Sequence, residues 1–351
     1  MRAVINFFIF YLIINCFLFA DTKRDGVAQD FGSAVVFMYH RFGDDRYPST
    51  NVTLEQFNQH LAYIQDNGFR VWPLSKIVRY MLEKKQLPDK IVAISVDDAY
   101  ITTYTNAYPL LKAKNFPFIV FVNTNAIDVE SKNYMSWEQM REMALNGAEF
   151  ANHSLTHAYM LPQKDETKES WKKRFEGEVV HAQKRLHKEL GSSTNENPKL
   201  FSYPFGEYNQ DMKNVLRELN YIGVAQMSGA MDSHSDFGAL PRFPMAESFA
   251  HKKGFALKIN TLPLAIESIS PMEPVITSQN PPLLKLKLKN SMKNLNCFRA
   301  NGEKIQMKWL SKTELELQAK TPLQEPRDRY TCTAPTKDGR WFWYSHMWIV
   351  K

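Results

Sequence analysis

Cysteine is scarce in this chain, three residues in 351, and no apolar run beyond residue 20 is long enough to read as a membrane span. No internal repeat is visible, which excludes solenoid and propeller architectures. A hydrophobic content of 44% with 23% charged residues excludes both a disordered chain and a multispan membrane protein. What remains is an ordinary globular chain, long enough for two compact domains or one large barrel with an appendage.

The first twenty residues differ in character. Arg2 precedes an apolar run over residues 3–20, broken only by Asn6 and Asn15, and Asp21-Thr22-Lys23-Arg24 follows. This pattern predicts a secretory signal peptide at residues 1–20, cut near Ala20, and hence export to a periplasmic or extracellular compartment. The alternative is an uncleaved anchor, because Leu18 suits the −3 site poorly. Cleavage would remove Cys16 and leave Cys297 and Cys332, an even pair that in an exported chain reads as one disulfide, the alternative being two buried thiols. The net charge of +7 is uneven: residues 268–351 hold 14 Lys and Arg against 7 Asp and Glu. The basic character therefore belongs to this segment and bears on partners rather than on fold.

Residues 31–265 alternate short apolar runs with amphipathic stretches. Residues 34–39 predict a strand, and 53–67 a helix ended by Gly68, with Thr53 and Gln56 spaced as a capping box. Further strands are predicted at 91–96, 118–122, 149–152, 199–203 and 222–226. Helices are predicted at 74–85, 103–114, 136–145, 164–190 and 210–219. Repeated strand–helix units bring parallel strands together with helices outside. About seven such units predict an α/β fold, a distorted (β/α)7-type barrel whose site lies at the C-terminal strand ends. Pro263, Pro271, Pro274, Pro281 and Pro282 then mark a boundary, after which Leu284, Leu286 and Leu288 alternate with Lys285, Lys287 and Lys289. A small all-β sandwich-like domain is predicted there. The expected organisation is residues 1–20, 21–267 and 268–351.

Three segments at predicted strand ends carry chemistry. Asp97-Asp98 follows a fully apolar strand; neighbouring carboxylates there need a cation or a shared proton, although an isolated pair also serves as a helix N-cap. His153 and His157, at i and i+4, stand on one side of a helical turn and are spaced to clamp a metal, although that spacing alone is common by chance on surfaces. Tyr203-Pro204-Phe205-Gly206-Glu207-Tyr208 reads as a stiff turn that presents backbone N–H groups and aromatic walls. Each signal is weak alone. Their order and spacing together resemble the polysaccharide deacetylases of the NodB-homology family, carbohydrate esterase family four, over residues 31–250. Met38-Tyr39-His40-Arg41-Phe42 is similar to the circularly permuted branch, which includes poly-N-acetylglucosamine deacetylases.

The resemblance implies roles for residues of this chain. Asp98, His153 and His157 would hold a divalent metal, usually zinc, and Asp97 would be the general base toward a metal-activated water. Tyr203, Pro204, Phe205, Gly206 and Tyr208 would line the substrate site, with backbone N–H groups near Phe205 stabilising the oxyanion. The sequence departs from the family pattern at Val96 and Ala99, which stand where Phe and Gly are usual. It departs again at Ser202, which stands where an Arg usually orients the base; Arg242 is the candidate replacement. The family's late histidine motif is missing, so His40 is the candidate general acid, with His234 and His251 as alternatives.

Beyond residue 340, Trp341, Phe342, Trp343, Tyr344 and Trp348 lie close together. Aromatics there stack on sugars or fill a sandwich core, and the lysines 285, 287 and 289 would attract an anionic envelope polymer. The expected partner is an N-acetylated polysaccharide rather than nucleic acid. The rival readings are a catalytically impaired glycan-binding protein and an envelope-assembly protein acting through its basic domain.

Overall fold

The computed structural model describes residues 32–194 and 197–351; the predicted signal peptide and Cys16 lie outside the described residues. The first half reads β1 (Ser33–Tyr39), β2 (Arg41–Phe42), β3 (Asn51–Val52), α1 (Leu54–Asp66), β4 (Arg70–Val71), α2 (Leu74–Leu82), β5 (Ile91–Asp97), α3 (Tyr108–Ala113), β6 (Ile119–Val122), α4 (Thr124–Asp128), α5 (Trp137–Leu145), β7 (Glu149–Asn152) and α6 (Lys168–Leu190). It continues with β8 (Lys199–Ser202), α7 (Gln210–Glu218), β9 (Tyr221–Val224), β10 (Ala230–Asp232), β11 (Phe243–Pro244) and α8 (Lys252–Ile259). The Thr53/Gln56 capping box forms at the start of α1, and Ser136 with Gln139 forms a second at α5.

The main sheet runs β10-β1-β5-β6-β7-β8-β9, parallel except for β10. β5 is buried along its whole length, as a parallel strand covered on both faces should be. The ladder leaves β9 and β10 unpaired with each other, and residues 240–244 occupy the gap. Leu240 bridges Val224 of β9, and Phe243 pairs with Phe37 of β1. This closing segment carries Arg242 inward, because its neighbours Leu240 and Phe243 are fixed by the strands on either side.

The remaining strands are β12 (Thr261–Pro263), β13 (Ile266–Ser270), β14 (Leu283–Leu288), β15 (Asn296–Phe298), β16 (Gln306–Trp309), β17 (Glu314–Gln318), β18 (Arg327–Pro335) and β19 (Trp341–Ile349). They form two four-stranded sheets, β12-β19-β18-β15 and β13-β14-β17-β16. Leu284, Leu286, Leu288, Leu315, Leu317, Tyr330 and Trp348 make the core between them. Period-two alternation put the leucines inside and the lysines outside. Cys297 and Cys332 are cross-strand partners of β15 and β18 and are disulfide-bonded.

The sheets and the barrel share side chains. β12 pairs parallel with β19, and Trp343 of β19 meets Phe243 edge to face at 5.3 Å. Met347 and Ile349 lie in the same core as Trp171, Phe175 and Phe201 of the barrel. Phe342, Tyr344 and Trp348 pack on the sandwich side. Most of the aromatic cluster is thus packing, and Trp341 alone of the five is an exposed large side chain. Two of the three lysines are also occupied: Lys285 pairs with Glu316 at 3.1 Å and Lys287 with Glu267 at 3.0 Å. No helix among the described residues is long and apolar enough to cross a membrane.

Candidate metal centre

Asp97 is the last residue of β5, and the chain leaves the strand through Asp98 at φ 73° and Ala99 at φ 57°. These left-handed conformations cost non-glycine residues on the order of 1–3 kcal/mol each and tend to cluster at functional sites. They turn Asp98 toward the loop after β7. His153 and His157 meet there through a loop, not through the helical turn expected from their spacing. Ser154 at φ 69° and His157 at φ 57° bend it, and Asn152 Oδ1 and Ser154 Oγ accept from the N–H groups of Ser154 (2.8 Å) and His157 (2.9 Å). The two-residue and three-residue side-chain turns do the work of a helix here.

The ligand atoms of Asp98, His153 and His157 all lie within 4.8 Å of one another. Asp98 Oδ1 stands 3.3 Å from His153 Nε2 and 3.2 Å from His157 Nε2. His153 Nδ1 lies 2.8 Å from the Ser202 carbonyl; a carbonyl only accepts, so Nδ1 carries the proton and Nε2 offers its lone pair to the cluster. Both Asp98 Oδ1 and His153 Nε2 are buried without a hydrogen bond. Two orphaned buried acceptors facing each other is an arrangement that a divalent cation resolves, and one carboxylate with two imidazoles suits a catalytic metal with open positions. The residues present fit the group.

Asp97 has a different environment. Arg242, fully buried, donates from Nη1 to Oδ1 at 2.7 Å and from Nη2 to Oδ2 at 2.8 Å. The same guanidinium reaches Ser202 Oγ (2.8 Å), Ser95 Oγ (3.1 Å) and the Ala225 carbonyl (3.1 Å). Ser202 Oγ donates to Asp97 Oδ2 at 3.2 Å. Burial works to raise the Asp97 pKa, but Arg242 and then His153 hold it below the ordinary carboxylate value. Asp97 is therefore an oriented anion, and the Ser202 that replaces the usual Arg takes part in orienting it.

His40 follows β1 and lies in the field of Asp98, Asp97, Arg242 and His153; burial lowers its pKa while the two carboxylates raise it. Of the three candidate general acids it is the one near the cluster. His234 lines a different cavity, 3.8 Å from Asp232 Oδ2, and His251 is the exposed N-cap residue of α8. The turn after β8 divides in two. Phe205 is exposed and stands edge-on to His157 at 4.7 Å, and the Gly206 N–H closes the turn onto Tyr203 O at 3.0 Å. Tyr203 and Tyr208 instead stack on each other in the core, the Tyr203 hydroxyl donating to Gly238 O at 2.7 Å. Their phenol rings pack the barrel, which corrects the expectation that both line the substrate site; Pro204 is buried beside them.

Two features escaped sequence reasoning. Ser95 shares a face of β5 with Asp97, and a hydroxyl in an otherwise apolar strand was the available signal. Arg41 lies over the Tyr100 ring at 3.4 Å and over Tyr47 at 3.9 Å, and Tyr100 stacks on Tyr134 at 5.2 Å. Burial and then Asp98 raise the Tyr100 pKa, so this aromatic wall adjoins the cluster.

Barrel and cluster together place a candidate Asp–His–His metal site at the C-terminal strand ends. Residues 84–224 match the polysaccharide deacetylase family. Bacillus subtilis YxkH is 26% identical over 211 residues, 59% of this chain and 69% of that protein. The poly-beta-1,6-N-acetyl-D-glucosamine N-deacetylase of Escherichia coli K12 is 25% identical over 255 residues, 62% of this chain but only 37% of that one. The chain thus spans well under half of that relative's length. A Streptococcus pyogenes deacetylase, PplD, solved in complex with acetate, shares the fold with a TM-score of 0.57 at 21% identity, covering 65% of this chain and 98% of that one. Over residues 84–224 the chain is thus similar to the polysaccharide deacetylases, in its family match and in its relatives alike.

Proposed function

We propose that the protein hydrolyses N-acetyl groups of an N-acetylated polysaccharide, with a zinc ion as its resident metal. The observation that carries this is the pair of adjacent acids with divergent surroundings, Asp97 clamped by Arg242 and Asp98 facing two imidazoles. Asp98, His153 and His157 would hold the ion, which when bound supplies Lewis-acid polarisation of the acetyl carbonyl and an activated water. Asp97 takes the proton of the attacking water, its charge and orientation kept by Arg242 and Ser202. His40 gives a proton to the departing amine. Poly-β-1,6-N-acetylglucosamine, the polymer named for the Escherichia coli relative, is the first substrate to test. The disulfide supports an oxidising, extracytoplasmic location, with residues 1–20 as the export signal.

The test is acetate release from a panel of acetylated glycans together with metal content. The expected result is metal-dependent release from N-acetylglucosamine polymers, with metal and activity lost together in His153→Ala and His157→Ala, because three protein ligands leave no reserve. Full occupancy and turnover in both variants would overturn the assignment. A chain that binds these polymers but releases no acetate would favour the glycan-binding reading.

A further inference from the structure

A second cavity, of about 440 Å³, lies apart from the metal cluster, and no cluster residue lines it. Three stretches of chain meet around it: the loops flanking β10, the connection through β12 and β13, and residues 343–346 of β19. Its volume falls in the range of small-molecule sites. The lining offers aromatic rings from Trp343 and Tyr344, and carboxylates from Asp232, Asp236 and Glu267. Lys289 is the one lysine or arginine in the lining. The Trp343 indole is fixed, donating from Nε1 to Ser345 Oγ at 3.2 Å.

His346 stands in the wall, 6% exposed, with its Nδ1 3.2 Å from the Tyr344 hydroxyl and its Nε2 closed off from the cavity. Two of the carboxylates are already paired, Glu267 with Lys287 at 3.0 Å and Asp236 with Lys213, which leaves Asp232, Ser228 and Ser235 beside Lys289 as the polar side chains that meet an occupant. A wholly apolar ligand would desolvate Asp232 without replacing its hydrogen bonds. A pyranose suits this lining, its C–H face on the Trp343 ring and its hydroxyls on Asp232 and the serines.

We propose that this cavity is a separate carbohydrate site that binds a hexosamine segment of the polysaccharide. Only the choice of sugar rests on the deacetylase reading. Holding the polymer at a second point raises the local concentration of acetyl groups at the catalytic cluster without touching its chemistry.

The experiment titrates the full chain with the β-linked N-acetylglucosamine tetramer and, separately, its glucosamine counterpart, by calorimetry and ligand-observed NMR. Ala265→Trp fills the cavity, and Asp232→Asn removes one acceptor with little volume change should the first variant fold poorly. Two oligosaccharides per wild-type chain are expected, falling to one in Ala265→Trp, with weaker second-site binding in Asp232→Asn. Preference for one tetramer over the other identifies whether substrate or product is held. KM for the polymer should rise at least about tenfold in Ala265→Trp, with kcat on an acetylated disaccharide unchanged. One oligosaccharide per wild-type chain, or an unaltered polymer KM in both folded variants, overturns the proposal. Normal acetate release alongside that result would leave the deacetylase reading standing.

Discussion

Removing Arg242 should damage stability and turnover for one electrostatic reason. Its guanidinium and the Asp97 carboxylate are both wholly buried and joined by two parallel bonds of 2.7 and 2.8 Å. Each charged hydrogen bond contributes about 1.5–3 kcal/mol, so the pair sums to about 3–6 kcal/mol. Breaking a buried ion pair costs about 3–5 kcal/mol, since it strands the partner's charge. Arg242→Met should therefore lower urea-unfolding stability by about 4 kcal/mol. Coupling between Arg242 and Asp97 predicts that the Arg242→Met/Asp97→Asn double variant recovers about 2 kcal/mol or more relative to the sum of the single losses. Arg242→Lys keeps the charge but cannot form the fork, so it should fold and lose most turnover while retaining metal. Single-variant losses that add within about 0.5 kcal/mol would refute the reasoning, because independent sites behave that way.

His40→Ala should lower kcat with metal content unchanged, and less so for acetyl esters with good leaving groups; equal loss on all substrates would remove His40 from proton donation. The His60 imidazole is buried between the Tyr39 hydroxyl (3.0 Å) and the Ala250 carbonyl (2.7 Å), and burial lowers its pKa from 6.5 to about 4. The neutral ring is the folded form, so its contribution is complete above pH 6.5 and is lost as pH falls from 6.5 through about 4. The loss is about 3 kcal/mol, and His60→Gln should flatten the stability–pH profile in that window; an unchanged slope would refute it. Replacing both Cys297 and Cys332 by Ser opens a link across 35 residues and should cost about 4 kcal/mol in denaturant unfolding, with no loss meaning that the cross-link does not constrain the unfolded chain.

Strand–helix alternation made the barrel legible, because buried parallel strands are continuous apolar runs and their helices carry caps that local sequence specifies. β7 was predicted residue for residue, and α1 with its cap. The short strands β10 to β13 were not legible, since two- to five-residue segments have too little periodicity and are held by their neighbours. At the site, the Asp97-Asp98 pair and the spacing of His153 and His157 marked candidates, and the family resemblance implied that Asp98 joins the two histidines as a ligand. The loop that joins the two histidines was hidden, because positive φ at Ser154 and His157 contradicts the preference of both residues. Tyr203 and Tyr208 misled for a related reason: an aromatic beside a turn looks the same in sequence whether it faces a ligand or the core.

The shared strand β19 bears on how the chain must be made. Trp343, Met347 and Ile349 fill barrel cores whose other buried residues all precede residue 260. A ribosome that has finished β9 has therefore not finished the barrel. Until residue 349 emerges, the aromatic surface around Phe175, Phe201 and Phe243 lacks its cover and is open to wrong partners. Shortened products should on this account be cleared or aggregate rather than accumulate as small active enzymes.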